Sequence, residues 1–321
     1  MQDHNRYYTI ANQRVKHNVA LSSRTWIHRG GIVENYFQPL SVEELRSIAL
    51  YLYFQNENFD VIGHTSNMYF LNTYNVKNLI DTRKVLAPYH IEKNILRVAA
   101  GEPTAKIAKY LTNKGISGYE GLIDIPGTIA GAVVNNSGSY GCGIESILRE
   151  VELLTSTGEV KIIKNADLLY SKRSSALKRG EIKGVILWVY LDISRYEPIE
   201  ILRNKVYLYH ADRELTQEGR THNLGSTYCV LQYKHNLRNY TVKGIIKMLQ
   251  IIGTNSTKQK RIQKYLYLLL YRQTKLSHYI SDKNLGCFIW ADMGADIAFP
   301  HYMEFMEKVF YRPTMEIEIK K

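Results

Sequence analysis

The sequence predicts an α+β fold: two small α+β lobes over about 18–82 and 83–195, then a smaller α+β domain over 196–321, led by an N-terminal arm over 1–17. Three observations predict it. Short β-rich runs alternate with amphipathic helical stretches through the first 195 residues. A glycine-rich segment, residues 118–136, breaks that alternation yet carries apolar residues of the kind found in a core. After Pro198 the pattern changes to longer, basic helical stretches.

Residues 1–17 show no apolar periodicity and read as an arm. A strand is expected over 34–38. Ser41 and Glu44 form a capping box ahead of Leu45, Ile48, Ala49 and Leu52, whose spacing predicts an amphipathic helix of about four turns. Phe59–Ile62 reads as a strand running into Gly63-His64-Thr65-Ser66-Asn67, and further strands follow near 77–80 and 95–99. Pro103 opens a helix with Ile107, Ala108 and Leu111 on one face, and Gly115 closes it. Beyond the glycine-rich segment, 151–154, 160–163 and 185–189 read as strands, with Thr157-Gly158 as a turn. The last third predicts helices over about 198–217, 241–252 and 257–271, a strand over 285–290, a helix over 299–310 after Pro300, and a final strand whose Glu-Ile-Glu-Ile alternation gives it one wet face.

A chain of 321 residues with 45% hydrophobic content has ample material for a packed core. The apolar run 265–271 is closed by Lys264 and Arg272, far short of the roughly 20 residues that span a bilayer. Residues 1–14 are polar, without the charged-then-apolar pattern of a leader, so a cytoplasmic protein is expected. Cys142, Cys229 and Cys287 are widely spaced, with no CxxC and no histidine cluster, which argues against disulfides and structural metal. The formal charge is +12, and residues 200–280 hold fourteen Lys and Arg against four acids, a local balance of 14 − 4 = +10. Such a field attracts a nucleotide diphosphate, NADPH, nucleic acid or an anionic membrane surface.

Glycine lets a backbone approach a ligand closely or adopt positive φ, and a run placed before a helix offers N–H groups to a diphosphate. The same glycines also suit a turn between two core elements. The order Ile125-Pro126-Gly127-Thr128, then Gly131-Ala132-Val133, then Asn136-Ser137-Gly138-Ser139-Tyr140-Gly141 resembles the flavin-binding signature of the UDP-N-acetylenolpyruvoylglucosamine reductase family. The resemblance runs in order over residues 18–195, including Asn18 to Gly31, and resumes near the C-terminus. It implies an FAD-binding domain of the PCMH type, vanillyl-alcohol-oxidase-like, followed by a substrate domain. The implied activity is FAD-dependent, NADPH-driven reduction of UDP-N-acetylglucosamine enolpyruvate to UDP-N-acetylmuramate in cell-wall precursor synthesis, with the UDP-sugar as partner and a monomer or weak dimer as the working state.

By this resemblance Gly63, His64, Thr65, Ser66 and Asn67 hold the FAD diphosphate together with Ile125, Pro126, Gly127, Thr128, Gly131, Ala132 and Val133. His64 and Thr65 stand where the family carries glycines; a histidine there is either a covalent flavin attachment point, as in related oxidases, or a solvated loop residue. Arg173 and Ser175 fit the family's Tyr-Arg-x-Ser motif, with Lys172 in the tyrosine's place, and the implied role of Arg173 is to bind the substrate carboxylate bidentately. Ser226, within Gly225-Ser226-Thr227-Tyr228, is implied as proton donor, and Glu316 as the catalytic glutamate near the C-terminus, with Glu318 as the alternative. The family's Lys-Asn-Pro after the serine is absent: the chain reads Cys229-Val230-Leu231-Gln232-Tyr233-Lys234. A flavoenzyme acting on another nucleotide-linked sugar, in capsule or surface polysaccharide synthesis, is therefore the second reading. The third is a non-catalytic flavin-fold protein with a basic binding surface, whose tyrosines could stack on bases; no nucleic-acid motif is present, so no nucleic-acid partner is expected.

Overall fold

A computed structural model describes residues 2–219, 221–229 and 231–321. The chain divides into two units. The first is Met1–Leu21, Gly31–Thr65 and Tyr74–Tyr209; the second is Ser22–Gly30, Ser66–Thr73 and His210–Lys321.

The first unit is built on two sheets. In one, strand Val15–Ala20 pairs antiparallel with Ile32–Phe37, which pairs parallel with Val76–Asp81, and Phe59–Ile62 adds in parallel beyond it. The other is antiparallel throughout, in the order Val160–Lys164, Leu148–Leu154, Val185–Asp192, Ile95–Ala99, His90–Glu92. The central strand Val185–Asp192 starts fully buried and from Leu187 onward buries alternate residues, as a strand with one covered face should. Helix Val42–Phe54 starts at Ser41, whose side chain accepts from the Glu44 N–H, while the Glu44 carboxylate accepts from the Leu40 N–H instead of closing the box on Ser41. Helix Thr104–Thr112 begins after Pro103, and Gly115 takes φ +76° beyond its end. Leu45, Ile48, Ala49, Ile107 and Leu111 join the sheet residues Val98, Val151 and Val189 in one buried core.

Residues 2–14, expected as an arm, instead form helix Gln2–Arg14, and Val15 to His17 enter the first sheet. The helix has few apolar residues, which hid its period, but it needs few: Ala11 is buried, Tyr7 and Ile10 pack on the core, and Arg14 grips Glu44 through two hydrogen bonds of 2.6 and 2.7 Å.

The second unit surrounds an aromatic core that includes Tyr69, Trp290, Phe288, Phe299, Tyr302 and Phe305. Helices Leu237–Ile251 and Ser256–Leu270 start earlier than or close to their expected bounds, because Asn236 and Asn255 cap them. Residues 285–290, expected as a strand, form none: Phe288 and Ile289 make single bridges to Ile280 and Asn223, and the run is apolar because it feeds the aromatic core. The last helix is Ala295–Val309, so Pro300 lies inside it, near the start, rather than opening it. Two short pairings complete the unit: Tyr228–Cys229 with Thr314–Met315, and Met68–Phe70 with Glu318–Lys320. Among the described residues no helix is long and apolar enough to cross a membrane.

Candidate active site

In the first unit the strand Phe59–Ile62 delivers the turn Gly63-His64-Thr65 directly onto Thr128. A Cβ on Gly63 would lie 2.4 Å from Thr128 Oγ1, so only glycine fits. Thr65 is buried and holds φ +56°, a conformation rare for a β-branched residue, and its hydroxyl donates to the His64 carbonyl at 2.7 Å. The backbone thus keeps a glycine-like shape although the side chain does not. The His64 imidazole is half-buried, and burial pushes its pKa below the ordinary histidine value; Arg83 pushes the same way, while the Gly127 backbone and Asp81 work against it.

Ile125 is half-buried and Pro126 exposed ahead of Gly127, which takes φ +140°. Thr128 then caps helix Ile129–Asn135, its hydroxyl accepting from the Gly131 N–H at 3.2 Å, and Ala132 and Val133 face the core. The sequence suggested that this helix start offers amides to an anion; the amides of Ile129, Ala130, Gly131 and Ala132 already have acceptors within the protein. The Ile129 N–H donates to the Glu102 carbonyl (2.8 Å), Ala130 to Ala100 (3.2 Å) and Ala132 to Thr128 (2.9 Å). The first two amides are occupied by backbone from the 99–103 turn, a long-range contact that no local pattern reveals, and the third by the helix's own ladder.

Arg173 also stands in the left-handed region, at φ +55°. Its loop is fastened to the far end of the same helix. The Ser175 hydroxyl donates to the Val134 carbonyl (2.7 Å), Lys178 Nζ donates to Asn135 Oδ1 (2.8 Å) and to the Arg173 carbonyl (3.0 Å), and Asn136 Nδ2 donates to the Ser171 carbonyl (3.0 Å). One short helix therefore carries Thr128 at its start and positions the Arg173 loop at its end.

Sequence reasoning missed a buried cluster beside this turn. Asp81, fully buried, accepts from the Tyr36 hydroxyl, from Gln38 Nε2 (3.1 Å) and from the Arg83 guanidinium (2.7 Å), and its carboxylate caps the turn Thr82–Lys84. Burial works to raise the Asp81 pKa, but Arg83 and Tyr36 outweigh it and hold the group below the usual carboxylate range. The Asp-Thr-Arg order was the available signal. Gly101, also missed, meets the Thr82 carbonyl so closely that a Cβ would sit 2.0 Å from it.

The second unit gathers the other expected residues. The Asn67 side chain donates to the Glu316 carbonyl (3.1 Å), and the Glu316 N–H donates to the Thr227 carbonyl (2.8 Å). Ser66, half-buried, precedes Asn67 at the entry to strand Met68–Phe70. Ser226 sits on a turn where Gly225 takes φ +71° and its N–H bonds Asn223 Oδ1 (2.8 Å). Asn67, Glu316 and Thr227, the residue after Ser226, are thus joined in one hydrogen-bonded series. Glu318 differs from Glu316: its carboxylate pairs with Lys320 at 2.8 Å, and its N–H continues the ladder to the Asn67 carbonyl (2.9 Å). Asn284, which the sequence did not flag, donates through Nδ2 to Ser226 Oγ (3.1 Å) and accepts at Oδ1 from the Gly286 N–H (2.8 Å).

The segment that replaces Lys-Asn-Pro lines an open cavity of about 440 Å³ formed by Gln232, Tyr233, Lys234, His235, Asn236 and Tyr311. Val230 lies outside the described residues.

Comparison with known proteins bears on this geometry. Residues 33–164 match the FAD binding domain family. The chain is 27% identical over 216 residues to a UDP-N-acetylenolpyruvoylglucosamine reductase of Anaplasma marginale, covering 66% of this chain and 69% of that one. It is 33% identical over 171 residues to the reductase of Prochlorococcus marinus, covering 53% and 58%. The matched stretch thus spans between about half and about two thirds of these relatives. The crystal structure of UDP-N-acetylenolpyruvylglucosamine reductase from Thermus caldophilus superposes with a TM-score of 0.65 at 19% identity, covering 96% of this chain and 99% of that one, which shows a shared α+β fold.

Proposed function

We propose that this chain, which carries an FAD-binding domain and is related to the UDP-N-acetylenolpyruvoylglucosamine reductases, is an FAD-dependent oxidoreductase that reduces UDP-N-acetylglucosamine enolpyruvate to UDP-N-acetylmuramate with NADPH. The observation that best supports it is the packing of Gly63 against Thr128 within the stretch that matches the FAD-binding domain; in the other unit the Glu316 N–H bonds the carbonyl of Thr227, the residue after Ser226.

Gly63 lets the turn pack on Thr128, and Thr65 keeps the left-handed path that a diphosphate-binding turn needs, so the 63–67 turn, with Thr128, would hold that part of FAD. The helix Ile129–Asn135 contributes as a buried support, since its first amides already have acceptors. When bound, FAD would supply the hydride chemistry, with NADPH as hydride source and the terminal carbon of the enolpyruvyl double bond as acceptor. Ser226 donates the balancing proton to the adjacent carbon. A serine is a weak acid, and the Asn284 amide helps it in two ways: it occupies a lone pair of Oγ, leaving the O–H to point elsewhere, and it stabilises the alkoxide left behind. Arg173 binds the substrate carboxylate through its planar fork, and Glu316 completes the charge pattern around the enol-like state.

The test follows flavin absorbance anaerobically. NADPH should bleach it and UDP-N-acetylglucosamine enolpyruvate should restore it. Ser226→Ala should leave bleaching intact and abolish restoration, while Asn284→Ala should slow restoration about tenfold or more, the effect of one hydrogen bond to a developing charge. Absence of bound flavin would refute the oxidoreductase reading.

One observation favours a second reading, a flavoenzyme acting on another nucleotide-linked sugar: the cavity lined by residues 232–236 and Tyr311 is built by the segment that departs from the family's nucleotide-holding motif. Bleaching by NADPH without restoration by the enolpyruvyl substrate, followed by restoration with another UDP- or TDP-sugar, would select it.

A further inference from the structure

Residues 219–281 contain eleven Lys and Arg and not one Asp or Glu. Nearly half of this stretch folds as two packed helices, Leu237–Ile251 and Ser256–Leu270. The first buries Asn239 and Val242 and turns its opposite face outward. That outward face is apolar: Leu237, Tyr240, Met248 and Ile251 follow one another at helical spacing, with Gly244 between, and Ile252 continues the stripe at the tip. Exposure is 82% for Leu237, 66% for Met248, 78% for Ile251 and 74% for Ile252, unusual for aliphatic side chains grouped on one surface. Arg238 flanks the stripe on one side and Lys243 and Lys247 on the other. Past the turn at Gly253 come Lys258 and Lys260, and among the described residues none of these four lysines has an ion-pair partner.

We infer that the tip of this helical hairpin docks on an anionic lipid surface, with Met248, Ile251 and Ile252 entering the headgroup boundary and the flanking lysines meeting lipid phosphates. The charge pattern selects this occupant. A second copy of the chain would bring two acid-free surfaces together, so like charges would oppose the contact. A nucleic acid satisfies the lysines but offers nothing apolar to aliphatic side chains at the tip. A bilayer with acidic headgroups satisfies both, and an amphipathic helix with a basic rim lies in its interface rather than crossing it. This surface is separate from the residues assigned to catalysis, so the inference stands or falls independently of the proposed reaction.

The experiment is cosedimentation of the whole protein with sucrose-loaded vesicles of phosphatidylcholine alone or with about one third phosphatidylglycerol. Binding should require phosphatidylglycerol and fall steeply with salt. Ile251→Asp should weaken it about tenfold or more, as expected for one buried aliphatic side chain. Lys243→Gln with Lys247→Gln should weaken it by a comparable factor. An unchanged far-ultraviolet circular dichroism spectrum certifies that each variant is folded, and Ile252→Asp serves if Ile251→Asp is not. The inference is overturned by no pelleting with acidic vesicles, by equal pelleting with neutral ones, or by full binding in the folded aspartate variants. A concentration-dependent dimer that Ile251→Asp disrupts, with no vesicle binding, would assign the stripe to self-association instead, and salt-sensitive binding of random oligonucleotide without vesicle binding would assign the basic rim to nucleic acid.

Discussion

At Gly63 a single hydrogen in place of a side chain decides whether a strand can end against Thr128. Gly63→Ala should cost about 1–3 kcal/mol, the penalty of forcing a methyl into packed space, and should lower the fraction of protein that retains FAD on gel filtration. Retention equal to that of the parent would mean that the turn relaxes without consequence for the cofactor. Thr65 makes the complementary point. A threonine in a tight turn suggests lost backbone freedom, yet the residue occupies φ +56° and ties its hydroxyl to the preceding carbonyl. The turn after strand Phe59–Ile62 was readable from Gly63; that Thr65 would tolerate the left-handed conformation was not, because it depends on burial that only the folded chain supplies. Asn284 was unreadable for a related reason: it lies 58 positions from Ser226, and nothing in its local sequence marks it as a hydrogen-bond donor to that hydroxyl.

Helix Ile129–Asn135 shows how one short element organises residues distant in sequence, with Thr128 at its start and the Ser171 to Lys178 loop hung from its end. The fully buried Ser175 hydroxyl is the central tie, donating to Val134 and accepting from the Lys178 N–H (3.2 Å). Ser175→Ala should destabilise the protein by about 1–2 kcal/mol and raise KM for the substrate more than it lowers the rate of flavin reduction by NADPH, since the loop that it holds carries Arg173. Equal effects on both half-reactions would point to a global loss of structure. Elements with local signals were legible: Ser41 before Val42–Phe54, and Pro103 with Gly115 around Thr104–Thr112. Those governed by tertiary contacts were not. Helix Gln2–Arg14 owes its order to Ala11 packing and the Arg14–Glu44 pair, and residues 285–290 resemble a strand only because Phe288 and Trp290 are needed in an aromatic core.

At the scale of the whole molecule, stability in acid should depend on the Asp81 cluster. Its carboxyl has a folded pKa below the unfolded value of about 3.9, so the stabilisation it provides is present above that value and is lost as pH falls through the folded one. Glu44, drawn down mainly by its hydrogen bond to Arg14, acts in the same direction. Urea midpoints measured from pH 7 downward should therefore fall through the acid range, and Asp81→Asn should show a flatter acid limb from a lower plateau; parallel curves would remove Asp81 as a source of the slope. Another consequence concerns the order in which the chain is made. The second unit draws on Ser66–Thr73 as well as on its C-terminal stretch, and Asn67 reaches Glu316 across 249 positions. At ribosomal speeds of roughly 5–20 residues per second, strand Met68–Phe70 waits on the order of ten to fifty seconds for Glu318–Lys320 to emerge. Through most of that interval Tyr69 lacks its aromatic neighbours Trp290 and Phe299, so the nascent protein offers a sticky, unpaired edge to whatever chaperone meets it, and the edge is closed only when residues 318–320 pair with it.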